Sequence, residues 1–460
     1  MLSNQSRPTN VRHWVTAWLA VAAILAYLSR NSIGAAQIPL RAEMGISEEE
    51  MGDILGAFFV FYAFAQIPMG WLGDRIGSRL SIPLFVAAWS VATSLVGVSG
   101  AFVVVMASRI ANGIAQAGVF PASTRSIAIW NPPGSRAMAS GILGAAMSVG
   151  GALGVGLTAW MLNYLPARSI LAILALPGIV WAIGFWFWFR ERPGEHSSVN
   201  SSEAELIAAG RANADVGSSN PTGYQMWLGL FLSPATWFIC GQQFFRAGAY
   251  AFFTTWFPTY LAETKNISIG SSGYLTMLPL IATVVGSTMG GYCSDSVYRW
   301  TGSLSAARKG VSSISLAMCA SLVLGAYFCT NIASIITLIT LGAFLAAIAG
   351  PCAYTATMDM GGRNVASLFS TMNMMGNFGA GAFAGFIPDF KNWVESSPQL
   401  LEFFGGNSWN AVLPLFAAIY AGAAGCWLLL NMRGTVFDQS LWKVPKPQPE
   451  KETNQPSSTA

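Results

Sequence analysis

The sequence predicts an all-α membrane protein: twelve transmembrane helices in two pseudo-symmetric six-helix bundles, with both termini on the cytoplasmic side. Three observations predict it. Only 10% of the 460 residues are charged and 53% are hydrophobic, with a mean hydropathy of +0.50, where a soluble chain carries about 25% charge. The apolar residues fall in blocks of roughly 18–25, the length that crosses a bilayer as a helix. The pattern also repeats at an offset of 221 residues, which carries Asp74 onto Asp295.

In order, the spans lie near 14–36, 52–73, 81–99, 101–130, 137–162, 169–189, 234–260, 271–295, 310–328, 333–358, 364–388 and 410–431. The first block is too long for the apolar core of a signal peptide and reads as a retained span. Residues 1–13 form a cytoplasmic N-terminus and 14–189 the first bundle. Residues 190–233 form a polar linker with an amphipathic segment, and 234–432 the second bundle. Residues 433–460 read as a disordered tail rich in Pro, Ser, Lys and Gln.

Lys and Arg orient these spans. With both ends inside, the outer loops hold only Arg41, Arg168, Lys265 and Lys391. Arg30, Arg109, Arg125 and Arg246 fall within spans, and the other sixteen of the 24 lie inside. The net charge of +4 therefore reflects topology and gives no nucleic-acid signal. The six cysteines sit in apolar segments without a CxxC pair, and His13 and His196 lie outside the spans. No metal or cofactor ligand set is visible, and no nucleophile–base pair or nucleotide motif suggests an enzyme. Asn266-Ile267-Ser268 fits a glycosylation sequon on an outer loop.

Several stretches carry a resemblance. "GWLGDRIGSR", following the second span, resembles the loop 2–3 signature of the major facilitator superfamily. "RIANGIAQAGVFPASTRSIAIWNPPGSRAMASGI", from Arg109, resembles the fourth span and following loop of the anion:cation symporter family. "FFTTWFPTYLAE", "GGYCSDSVYRW" and "DMGGRNVASLFSTMNMMGNFGAG" are similar to the same family. The likeness runs from about residue 14 to 432. It implies the major facilitator fold and transport of organic anions, as in sugar-acid transporters and the sialin-like and vesicular glutamate carriers.

The residues point the same way. No Asp or Glu lies deep in any span, whereas Arg30, Arg109 and Arg246 do. A desolvated guanidinium calls for an anion, and its planar fork suits carboxylate or phosphate. These three are the candidate substrate anchors; the alternative is structural bonding to backbone carbonyls, the reading preferred for Arg125. Tyr27, Tyr62, Gln66, Gln116, Gln242, Gln243, Tyr250, Trp256, Asn373 and Asn377 are further cavity candidates. Their hydroxyls, amides and ring faces suit a polyhydroxylated ligand, or else interhelical hydrogen bonds. The paired asparagines match the family's.

The chain departs from its resemblance in one respect. Proton-coupled relatives place acids where this chain has Ser29 and Gln116. Neither side chain titrates in a useful range, so the usual proton relay is not expected; uniport, exchange or sodium coupling are the alternatives. The resemblance also implies gates at Gly70, Asp74, Arg75 and Arg79 after span two and at Asp295 and Arg136 in the pseudo-symmetric position. The glycines of span five read as helix packing.

The expected protein is thus a monomeric secondary carrier in the plasma (inner) membrane. Its substrate is a small organic anion, a monocarboxylate sugar acid or similar, with H+ or Na+ as candidate coupling ion and no cofactor. The competing readings are an organophosphate exchanger and a transporter-like sensor that binds without translocating.

Overall fold

The computed structural model describes residues 7–209, 221–265 and 269–441. The sequon at Asn266 and the end of the tail lie outside the described residues. The described chain is helical, with no strand among the described residues. The first half runs α1 (Val11–Ala35), α2 (Gln37–Met44), α3 (Glu48–Ile76), α4 (Ser78–Val98), α5 (Phe102–Ala117), α6 (Val119–Trp130), α7 (Arg136–Met161) and α8 (Ala167–Trp188). Two short helices follow, α9 (Ser201–Ala209) and α10 (Gly223–Phe231). The second half holds α11 (Pro234–Thr255), α12 (Phe257–Lys265), α13 (Ile269–Thr301), α14 (Val311–Tyr327), α15 (Ile332–Met360), α16 (Val365–Ser396), α17 (Pro398–Phe403) and α18 (Val412–Leu429). Among the described residues, nine helical stretches are long and apolar enough to cross a membrane.

The packing repeats between the halves. α1 lies on α7, α3 on α5 and α4 on α8; correspondingly α11 lies on α16, α13 on α15 and α14 on α18. Two seams join the halves, α7 with α13 and α3 with α16. Without a hydrophobic drive between helices in lipid, close backbone approach supplies the contact energy. A Cβ at Gly154 of α7 would lie 2.6 Å from the Leu28 carbonyl oxygen of α1, and one at Gly113 of α5 2.6 Å from that of Phe58 on α3. Gly141 meets Ser287 and Thr288 in the same way, across the seam between the halves.

Capping fixes where the helices start. Ser47 and Glu50 form a reciprocal capping box at the head of α3, at 3.1 and 2.8 Å. At α1 the N-cap residue, Asn10, makes no side-chain cap bond. Its first amides are capped from the linker: Glu203 of α9, fully buried, accepts from the Val11 and Arg12 N–H groups (3.3 and 3.2 Å), from Arg12 Nη1 (3.0 Å) and from the Thr9 hydroxyl. Beside it His196 packs edge-on to Trp188 and Trp130, with ring centroids 5.0 and 5.9 Å away. Burial, and then the charge of Arg190, holds the His196 pKa below the ordinary histidine range. The contact is therefore retained at neutral pH and lost as pH falls through that lowered value.

Glu203→Gln is expected to remove about 2–3 kcal/mol of stability by leaving Arg12 without its anion. Hydrogen exchange over residues 7–14 should rise at the same time; unchanged exchange there would show that the linker does not cap α1.

The polar composition after 432 predicts a loose tail. Residues 433–441 instead dock on the second half. Val436 and Phe437 are buried, the Val436 N–H donates to the Met360 carbonyl (2.9 Å) and that of Leu441 to Leu232 (3.1 Å). Residues 7–12, the linker and this segment lie at one end of the bundle, the linker face.

Candidate functional site: an arginine cluster without acids

α1, α3 and α5 bring Arg30 and Arg109 to one phenyl ring. The guanidinium carbons of Arg30 and Arg109 lie 4.8 and 4.7 Å from the centroid of Phe58, which is fully buried on α3. Arg30 also lies 4.5 Å from the Tyr27 ring and 4.6 Å from that of Tyr62. Such cation–π contacts contribute about 2 kcal/mol each when desolvated, enough to hold a cation in place without neutralising it.

The polar support behind Arg30 contains no carboxylate. Its Nε and Nη2 donate to Gln116 Oε1 at 3.3 and 3.1 Å. Gln116 Nε2 donates to Asn112 Oδ1 (2.8 Å) and to the Ala26 carbonyl (3.3 Å). Asn112 Nδ2 donates to Thr93 Oγ1 at 2.6 Å, and Ser29 Oγ lies 3.3 Å from that hydroxyl. Ser29 and Gln116 are thus consecutive parts of one neutral chain. Arg109 is buried and its Nε has no hydrogen-bond partner.

The second half contributes Arg246 from α11. Its Nη2 donates to Gln243 Oε1 (2.9 Å), while its Nε is buried without a partner. Gly376 of α16 leaves room for Gln243, since a Cβ there would fall 2.8 Å from its Cγ. Arg246 interacts electrostatically with the phenols of Tyr250 and Tyr354, and those in turn with Tyr27 and, for Tyr354, Tyr62. Gln66 is fully buried with both amide atoms unpartnered, as is Oε1 of buried Gln242.

Other predicted residues fall less centrally. Asn377 Nδ2 bonds back to the Asn373 carbonyl at 2.9 Å, within its own helix. Trp256 sits past the end of α11 against Trp409, at 6.0 Å.

Among the described residues of the linker face, buried Asp74, Asp295, Asp359, Arg136 and Arg308 are all paired. Asp74 accepts from the Ala366 and Ser367 N–H groups (3.1 and 2.7 Å) and the Ser367 hydroxyl (2.7 Å) at the start of α16. Asp295 accepts from the Ala137 and Met138 N–H groups (3.2 and 2.7 Å) at the start of α7. Each carboxylate thus meets the positive end of a helix in the other half. A Cβ at Gly70 would collide with Ser370 on the same seam.

Arg308, in a π-helical turn at 305–310, donates to Asp295 (3.1 Å), to Asp359 (3.2 Å) and to the Pro133 carbonyl (2.7 Å). Arg136 donates to Asp359 at 2.8 Å. Arg125 pairs with Asp74 at 3.6 Å and with Glu191, in keeping with a structural role.

Arg75 and Arg79 stay within the first half. Arg75 is exposed above Trp71 of its own helix, and Arg79 lies near Trp186 with its backbone N–H on Glu191. Phe58, Thr93, Asn112, Tyr354, Glu191, Arg308 and Asp359 join these clusters without having been singled out from the sequence. Asn112 had a readable signal, being four residues before Gln116 and so on its face of the helix.

Asp359→Ala would leave Arg136 and Arg308 without their shared anion, costing the closed arrangement about 3–5 kcal/mol. Cys352, fully buried with its Sγ 3.9 Å from the Ala307 carbonyl, should then become reactive to maleimide, read by mass spectrometry. Unchanged labelling would show that this cluster does not hold the face shut.

Comparison with known proteins agrees with this architecture. The chain is 27% identical to the probable sulfoacetate transporter SauU of Cupriavidus necator over 79% of this chain and 83% of that protein. It is 29% identical to the D-galactonate transporter of Escherichia coli O6:H1 over 66% of this chain and 72% of that one. The solved structure of the proton:xylose symporter XylE superposes with a TM-score of 0.67 at 12% identity, covering 93% of this chain and 98% of that one. The profile of the Major Facilitator Superfamily matches residues 19–386, and the chain accordingly belongs to that superfamily of multi-pass membrane transporters.

Proposed function

We propose that the protein carries small organic anions, sugar acids or similar carboxylates, across the plasma membrane by alternating access. The observation that carries this reading is the contrast in charge pairing. At the linker face Arg125, Arg136 and Arg308 each have a carboxylate. Arg30, Arg109 and Arg246 have none among the described residues, although all three sit in helices of an apolar bundle. A cation retained in an apolar bundle without a counter-charge calls for a ligand of opposite charge. The names of the relatives, a sulfoacetate and a galactonate transporter, support an organic acid.

In this reading twelve helices span the bilayer with both termini and the linker face cytoplasmic. α1 to α8 make one bundle and α11 to α18 the other, with the site between them near the midplane. The locks at Asp74 and Asp295 and the Asp359 cluster close the cytoplasmic side, so this conformation opens outward. The carrier acts as a monomer and lacks the proton relay whose positions hold Ser29 and Gln116.

The test is uptake into proteoliposomes of radiolabelled sugar acids, with a hexose phosphate as the competing substrate. Saturable uptake of a sugar acid supports the reading. Uptake of the phosphate ester alone would make the protein an organophosphate exchanger, and binding without flux a sensor.

A further inference from the structure

We infer that the linker face carries a second binding site, a pocket in which Lys309 and Arg433 hold the phosphoglycerol headgroup of an acidic phospholipid. The pocket lies between the α13–α14 connection and the end of α18, and shares no residue with the arginine cluster.

The two halves build this corner differently. In the first half α3 passes to α4 through Gly77 alone. Glu191, in the chain leaving α8, closes the corner there. Its carboxylate accepts from the Arg79 N–H at 2.9 Å and from Arg125, and stands 3.1 Å from where a Cβ on Gly77 would lie. In the second half α13 ends at Thr301, and the connection runs on through Gly302 and the π-helical turn at 305–310 before α14 begins. The chain leaving α18 reads Leu430-Asn431-Met432-Arg433 and contains no acid. A cation thus follows the last span where the first half places a carboxylate.

Lys309 and Arg433 line a cavity of about 730 Å³ at this corner, within the size range of ligand pockets. Lys309 Nζ donates to the Leu430 carbonyl at 3.1 Å. Neither cation has a carboxylate within ion-pair distance among the described residues. Asp438, on the segment that follows, is engaged in its own turn, accepting from the Thr435 N–H (2.8 Å) and hydroxyl (2.7 Å). Two cations on one cavity attract an anion, and amine and guanidinium both suit phosphate. No Asp or Glu lines the cavity, so nothing there holds the ammonium of a zwitterionic headgroup. The hydroxyls of Ser303 and Ser305, also on its wall, suit those of glycerol. The rim is apolar: Leu429 is 66% exposed and Trp300, at the end of α13, 90%. An exposed Trp at a span end marks the boundary between headgroups and hydrocarbon. This rim favours a lipid over a free phosphate, and basic pockets between helices on the cytoplasmic side bind acidic headgroups.

The test is native mass spectrometry of the purified full-length protein. It is released from micelles holding phosphatidylglycerol and phosphatidylcholine of the same chain length in equal amounts. The protein is expected to retain phosphatidylglycerol about tenfold or more over phosphatidylcholine, the effect of two basic side chains on one acidic lipid. Lys309→Gln with Arg433→Gln should bring the two lipids to near parity. Arg433→Gln alone, whose side chain makes no hydrogen bond among the described residues, should cost about fivefold and decides the matter if the pair fails to fold. Lys309→Arg, which keeps the charge, should keep the preference. So should Arg192→Gln, which removes an exposed cation elsewhere on the linker face. Size-exclusion profiles establish which variants fold.

Equal retention of the two lipids by the parent would overturn the site. So would an equal loss of preference in Arg192→Gln, which would reduce the effect to surface charge. Further arms add inorganic phosphate or glycerol 3-phosphate at millimolar concentration. Displacement of the lipid by either would make the pocket a site for a soluble anion and overturn its assignment to lipid. None of these outcomes bears on the organic-anion reading, because Lys309 and Arg433 lie outside the arginine cluster.

Discussion

Arg30→Ala is expected to weaken substrate binding by about a hundredfold or more, because truncating one partner of a buried, hydrogen-bonded charge pair costs about 2–5 kcal/mol. Arg30→Lys should recover only part of this. It restores the charge but not the planar fork, nor the stacking on Tyr27, Phe58 and Tyr62. In the ligand-free variant the lost ring contacts and the relief of an unneutralised buried cation oppose each other, so the melting temperature should change far less than the ligand-induced shift does. Among the described residues Arg30 has no carboxylate that its removal would strand; Gln116 Oε1 loses its donor, and Tyr27 and Tyr62 lose their contacts. A structural arginine would behave oppositely: its loss would lower the melting temperature with or without ligand. Thermal unfolding with and without a bound sugar acid separates the two. Unchanged affinity in Arg30→Ala would refute the anchoring role.

The legibility of this site in the sequence follows physical lines. Charges in apolar runs stand out because a bilayer excludes them, so Arg30, Arg109 and Arg246 were visible as single residues. The 221-residue repeat made Asp74 and Asp295 visible as a pair, and the structure places both at helix starts in the opposite half. Phe58 carried no signal. It is one of 28 phenylalanines, and nothing in an apolar helix marks the ring that will take two guanidinium groups.

Arg308 and Asp359 were hidden differently. They pair over a separation of 51 residues, and spacing along the chain does not report such contacts. Arg75 illustrates the reverse error. Its neighbour Asp74 faces the other half, but successive residues on a helix point about 100° apart, and Arg75 is turned outward over Trp71. In the tail, average polarity concealed the two apolar residues that anchor it, Val436 and Phe437.

Gln116→Glu is expected to make substrate binding respond to pH, where the parent's is expected to be flat. In the parent, Gln116 Oε1 accepts from Arg30 while its Nε2 donates to Asn112 and Ala26. The amide directs the guanidinium without competing for its charge. Neither it nor Ser29 takes up a proton near neutrality, so affinity should be flat between about pH 6 and 8, where substrate carboxylates are ionised.

An ionised carboxylate at the same position would bind Arg30 as a fork-to-fork pair. The substrate would then have to displace it, losing about ten- to a hundredfold in affinity around pH 8. On protonation the introduced acid becomes neutral and releases Arg30. Binding of the substrate anion is thereby linked to uptake of a proton, and by reciprocity the affinity rises as pH falls. The same substitution removes the donor to Asn112 and Ala26, which should lower stability by about 1–3 kcal/mol while the acid is ionised. In proteoliposomes an inward proton gradient should accelerate the variant and leave the parent unaffected. Acceleration of the parent would show that protons couple through another group. A variant without pH dependence would show that position 116 does not govern the charge on which the substrate rests.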